Sequence, residues 1–159
     1  MSNEKDMASL EPLIREAIRD GGQFILTPKG VSMLPTIKPI CDKIVLVEAH
    51  NIEKNDIVLY KRKSGMYVAH RIMKIKNGQY TMCGDNQFAF EDGIDEDQII
   101  ALVSQVRKAD GRCLSRKAIQ SRSRLLSLAF KRLFKRTLHI VKKLLYPIYR
   151  FIFKRNSNS

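Results

Sequence analysis

The apolar positions of the chain change period twice. Over residues 9–20 (SLEPLIREAIRD) they recur at helical spacing, with Leu10, Leu13, Ile14, Ala17 and Ile18 on one stripe. That pattern predicts a short amphipathic helix, capped by Ser9 and stopped by Gly21-Gly22. From residue 24 the helical period disappears. Short β-like runs follow at Phe24–Thr27, Lys43–Val47, Asp56–Lys61, Met66–Ile75, Gln79–Cys83 and Gln98–Arg107. Asn77-Gly78 between two of these runs is a strong hairpin signal, because both positions of a type I′ turn need positive φ. These runs predict a mainly β domain over residues 23–110, compact, antiparallel and barrel-like. From about Arg116 to Tyr146 helical spacing returns. Leu126, Phe130, Leu133, Phe134, Leu138, Val141, Leu144 and Leu145 share one face, with Lys131, Arg132, Lys135, Arg136, Lys142 and Lys143 on the other. Pro147 ends or kinks that helix. The expected organisation is an N-terminal helix (1–22), a β-domain (23–110) and a long basic amphipathic C-terminal helix in a tail (111–159).

Charge sharpens this division. The chain has 159 residues, 29 Lys and Arg, 16 Asp and Glu, and a net charge of +13. Residues 1–111 hold 15 basic and 16 acidic residues, whereas residues 112–159 hold 14 basic residues and no acidic one. The basicity belongs to the tail, and a nearly neutral body argues against a nucleic-acid-binding domain with one wholly basic face. No apolar run approaches the roughly 20 residues that cross a bilayer. The polar N-terminus does not read as a secretory signal peptide. Cys41, Cys83 and Cys113 are odd in number and widely spaced, which fits reduced, buried or half-buried thiols better than a disulfide framework or a zinc site. No metal or cofactor is expected.

Three segments carry candidate chemistry. In Gly30-Val31-Ser32-Met33-Leu34-Pro35-Thr36 a serine sits on a tight turn between glycine and proline, where backbone geometry exposes it. Its hydroxyl is a poor nucleophile unless a base lies within hydrogen-bond reach. His70 lies in the alternating run Tyr67-Val68-Ala69-His70-Arg71-Ile72, where a lone histidine is most often structural. Cys83-Gly84-Asp85-Asn86 leads into an acidic turn with Glu91-Asp92 and lacks the regular ligand spacing of an EF-hand.

Taken together and in order, the three segments resemble the type I signal peptidases and the related self-cleaving repressor-type peptidases. The resemblance covers roughly residues 24–107. It also takes in Asp56-Ile57-Val58-Leu59-Tyr60 and the apolar strand Ile99-Ile100-Ala101-Leu102-Val103, where the family's usual glycine is Ala101 here. It implies a serine endopeptidase with Ser32 as nucleophile. Most bacterial members carry a lysine where this chain has His70, so the resemblance is to the branch typified by the endoplasmic-reticulum signal peptidases. Arg71 cannot deprotonate and is no base. Neutral His70 would take the Ser32 proton and return it to the leaving amine. The family's spacing puts a carboxylate partner for His70 on Asp92, with Asp85 and Glu91 as alternatives. The Ser32 N–H would serve the oxyanion hole; Gly30 stands where some members add a hydroxyl, so a second donor must be backbone or water. Gly30, Met33 and Pro35 would touch substrate, an extended peptide held by strand addition along Phe24–Thr27 and Met66–Ile75.

The family usually has a membrane anchor, and no such span is read here. The tail, through residues 116–155, suits the surface of an anionic membrane, at its cytoplasmic face. Nucleic acid ranks below a membrane for this tail, because a nucleic-acid arm needs fewer bulky apolar residues. The expected function is cleavage of signal or leader peptides near a membrane. Two other readings stand beside it: a cytoplasmic self-processing or regulatory peptidase, and a non-catalytic membrane- or nucleic-acid-binding module on the same fold.

Overall fold

The computed structural model describes residues 2–121, with side chains from Met7 onward, and Leu133, Phe134 and Thr137 of the tail. The chain divides into two units, Met1–Arg124 and Leu125–Ser159, and the sheet belongs to the first. Leu133, Phe134 and Thr137 are helical and exposed. Of the expected helix from about Arg116 to Tyr146, residues 116–121 are also described. There the helix ends at Gln120, with Ser121 in a non-helical conformation, which corrects the expectation of one unbroken helix. The remainder, and most of the expected membrane-binding stretch, lie outside the described residues.

Helix α1 spans Ser2–Ile18. Its buried stripe is Met7, Leu10, Ile14 and Ile18, at spacings of three and four, while Leu13 and Ala17 face solvent. Two expectations are corrected here. The helix starts well before Ser9, which therefore lies inside it rather than capping it, and the apolar stripe is narrower. The physical reason is Met7, whose packing on the core continues the helix past Pro12 despite the hydrogen bond that a proline forfeits. The helix ends as expected, through Asp20 (φ 55°) and Gly21 (φ 82°) in the left-handed region.

Six strands follow the predicted runs: β1 (Phe24–Leu26), β2 (Lys43–Val47), β3 (Ile57–Lys61), β4 (Tyr67–Lys76), β5 (Gln79–Cys83) and β7 (Ile99–Arg107). Asn77 and Gly78 both have positive φ at the β4–β5 turn. The alternation signal did not reveal β6 (Glu91–Ile94) or β8 (Cys113–Ser115), both too short for a period to emerge. Every pairing is antiparallel, in the order β1-β2-β7-β3-β4-β5-β6, with β8 beside β7. The sheet is open: β1 and β6 end the path and do not pair, which corrects the barrel-like expectation.

Central β7 pairs β2 along one edge. Its other edge takes β3 at residues 99–102 and β8 at 105–107. Both faces of the middle strands are buried. Ile57 and Leu59 join Ile14, Ile18, Ile44 and Val106 in one core, and Val58 and Tyr60 join Ile72, Met82 and Ile99 in the other. Helix α2 (Arg116–Gln120) follows β8, with the Ser115 side chain accepting from the Ala118 N–H as its cap. Ile119 is buried, and Arg116 grips buried Asp56 at 2.6 and 2.8 Å. Residues 116–120 are thereby bound into the body.

Candidate active site

The segment from Leu26 to Ile37 crosses the face of the sheet that α1 also covers, and its turns pin Ser32 beside the exit of β5. The Ser32 carbonyl accepts the Asn86 N–H at 2.8 Å, and the Asn86 side chain donates to the Val31 carbonyl at 3.2 Å. A Cβ on Gly84 would stand 2.7 Å from the Ser32 carbonyl oxygen, so this approach requires glycine. Thr36 donates its hydroxyl to Asp85, which tethers the far end of the turn to the same loop.

A groove of about 400 Å³ opens in front of the turn. Ser32, half-buried, lines it together with Gly30, and buried Met33 forms its floor. Pro35 is exposed and is not among the lining residues, and the space where a Gly30 Cβ would sit is open. One side of the groove is the start of β4, Met66–Ala69, and the other is the end of β1 with Leu26 and Thr27. The pairing of β4 explains the opening. Tyr67–Arg71 pair β3, but β5 joins the opposite edge only from Arg71 onward. The β5-side edge of residues 67–70 therefore has no strand partner among the described residues.

His70 follows Ala69 on β4 and is buried. Its Nδ1 lies 3.2 Å from the Tyr60 hydroxyl, which in turn donates to Glu91 Oε2 at 2.8 Å. Arg62 grips the same carboxylate with Nε at 2.9 and 3.0 Å and Nη2 at 2.7 Å. Burial, and then the Arg62 charge, hold the His70 imidazole below its ordinary pKa, against weaker opposing pulls from Glu91 and Asp85. Burial pushes the Glu91 carboxyl up, but the hydrogen bonds from Arg62 and Tyr60 outweigh it and leave Glu91 below the ordinary value. The site thus holds a neutral imidazole and an ionised carboxylate joined through a phenol.

The acidic residues separate into three roles. Glu91, one of the alternatives to Asp92, is the carboxylate connected to His70. Asp92, next to it on β6, faces away and accepts from Thr81 at 2.6 Å. Asp85 is buried and engaged by Arg71 through Nε and Nη2, each at 2.8 Å. Arg71 also donates to the Asn55 and Ile119 carbonyls, tying β4 to α2. Tyr60 and Arg62 had no role in the sequence reading. The register could have suggested Tyr60: Val58 opposes His70 and Tyr60 opposes Val68, so Tyr60 and His70 are diagonal neighbours on one face.

Cys83 is buried, whereas Cys41 and Cys113 are exposed free thiols rather than the buried or half-buried residues expected. His50 is exposed and paired with Glu48 at 3.0 Å. Among the described residues no cluster of His, Cys, Asp and Glu could hold a metal ion, and no helix is long and apolar enough to cross a membrane. Compared with models of known families and with curated proteins, the chain matches none.

Proposed function

We propose that this protein is a serine endopeptidase of the signal-peptidase type that cleaves signal or leader peptides, with Ser32 as nucleophile and His70 as general base. One observation carries the reading. A groove lined by Ser32 and by residues 66–69, whose β5-side edge has no strand partner among the described residues, ends one position along β4 from His70. That histidine is held neutral, is not itself among the lining residues and is not hydrogen-bonded to Ser32. An extended peptide in the groove can add to the free β4 edge, main chain to main chain, and drop alternate side chains toward Met33 and Ala69.

In this mechanism the Ser32 hydroxyl attacks the scissile carbonyl as its proton moves to His70. The imidazolium then protonates the leaving amine, and water releases the acyl group by the same steps. The Ser32 N–H is a donor for the oxyanion. A buried imidazole with a depressed pKa is already in its base form at neutral pH, so nothing has to be deprotonated first.

The tail would keep the enzyme at an anionic membrane, on the cytoplasmic face. Its support is the charge pattern: 14 basic residues and no acidic ones in 112–159, beside bulky apolar residues at helical spacing. Co-sedimentation of the full chain with anionic vesicles, and release by salt, tests that part.

The peptidase assignment is tested by mass spectrometry of leader-like peptides incubated with the wild type and with Ser32→Ala. The variant should lose cleavage by several orders of magnitude while its thermal melt stays within a degree or two. Cleavage retained in Ser32→Ala overturns the assignment.

A further inference from the structure

We propose that Tyr60 and Glu91 are positioning residues that hold the proton of neutral His70 on Nδ1, leaving Nε2 as the ring nitrogen that accepts a proton. This deepens the peptidase reading and rests on it for its functional meaning. The tautomer itself follows from the local chemistry alone.

The inference is an accounting of hydrogens. Glu91 is gripped by Arg62 through three contacts and is ionised, so its oxygens can only accept. Tyr60 has one O–H, and Glu91 Oε2 lies 2.8 Å from it. That proton is committed to the carboxylate, the stronger acceptor. Burial, with the Glu91 charge adding to it, raises the Tyr60 pKa, so the phenol keeps its proton. Toward His70 the Tyr60 oxygen then has only lone pairs to offer. Nδ1, at 3.2 Å, must be the donor, since two lone pairs facing each other would repel. A neutral imidazole has one N–H, so Nε2 carries the lone pair. Arg62 completes the chain: by fixing Glu91 it sets the direction of every hydrogen bond that follows.

The arrangement does the work usually given to an aspartate on the far nitrogen of a catalytic histidine, but with a phenol inserted between ring and carboxylate. As Ser32 gives up its proton to Nε2, the ring becomes an imidazolium. Its Nδ1–H stays on Tyr60, and the Glu91 charge sits one group away to steady it. The Arg62 charge, also close, opposes that protonation and keeps the base neutral between turnovers.

The test is nitrogen NMR of the full chain with ¹⁵N-labelled histidine at pH 8, without substrate. The His70 resonances, assigned by their loss in His70→Asn, should be those of the Nδ1–H tautomer. A predominant Nε2–H form overturns the proposal, and that wild-type measurement depends on no variant folding. Tyr60→Phe removes the acceptor, and Glu91→Leu frees the phenol to donate to Nδ1. Each should shift the population toward Nε2–H, and an unchanged tautomer in folded Tyr60→Phe overturns the proposal. With a cleavable peptide, Tyr60→Phe should lower kcat on the order of 10²-fold with KM little changed. The nitrogen spectra hold or fail independently of whether Ser32→Ala abolishes cleavage, so the two readings can fall separately.

Discussion

Gly84 and Ser32 touch backbone to backbone: a Cβ on Gly84 would lie 2.7 Å from the Ser32 carbonyl oxygen, which is also the acceptor for the Asn86 N–H. Two segments some fifty residues apart are in register only because one of them has no side chain. Gly84→Ala should therefore push the Ser32 turn outward, break that hydrogen bond and cost about 1–3 kcal/mol. Urea unfolding measures the cost, and peptide cleavage should fall with it. A variant within ~0.5 kcal/mol of wild type would show that the contact relaxes freely.

The Arg71–Asp85 ion pair is the most deeply buried one described, with both side chains essentially inaccessible. Removing one partner leaves a charge with neither water nor counter-ion. Asp85→Asn should lower stability by about 3–5 kcal/mol. Arg71→Lys should also destabilise the fold, because a lysine cannot make two parallel bonds to Asp85 while reaching the Asn55 and Ile119 carbonyls. Chemical denaturation of both variants provides the check, and neutral substitutions would mean that water enters the site.

His70 makes folding and activity depend on pH in a defined direction. The groups facing it are Tyr60, Glu91, Arg62 and Asp85, and the net effect is a pKa below the ordinary one. The unfolded chain binds that proton more readily, with a pKa near ~6.5. Stability from neutral His70 is therefore full above ~6.5 and is lost as the pH falls from there through the lower folded value. The free energy of unfolding should decline as the pH falls below ~6.5, with a shallower slope in His70→Asn. Cleavage should persist somewhat below ~6.5 and then drop as the folded ring protonates. Activity flat down to about pH 4 would exclude His70 as the base.

Ala69 lines the groove one residue before His70. Ala69→Phe should fill space meant for a substrate side chain and lower kcat/KM for small-residue peptides by roughly 10- to 200-fold. Labelling of Ser32 by a small serine-directed probe should survive. Unchanged peptide kinetics would mean that the substrate does not use this groove.

Ile14 anchors α1 from a fully buried position, beside the Met7 and Leu10 that help wall the groove. Ile14→Ala should cost about 2–5 kcal/mol, read from the melting transition. A smaller effect would indicate that the helix contributes little to the core.

Residue order alone determined much of this protein. Period-two runs marked six of the eight strands, and Asn77-Gly78 marked a hairpin, because these signals depend on neighbours a few positions away. Ser32, His70 and an acidic loop could be listed as candidates for the same local reason. Which carboxylate reaches the histidine was another matter. Glu91 and Asp92 are adjacent and chemically alike, and on a strand they point to opposite faces, so a single step of register gives Glu91 to Tyr60 and Asp92 to Thr81. The open sheet edge beside the groove, the extension of α1 through Met7, and the seat of α2 on Asp56 are long-range as well. Burial and pairing between segments distant along the chain decide such features, and no local pattern encodes them.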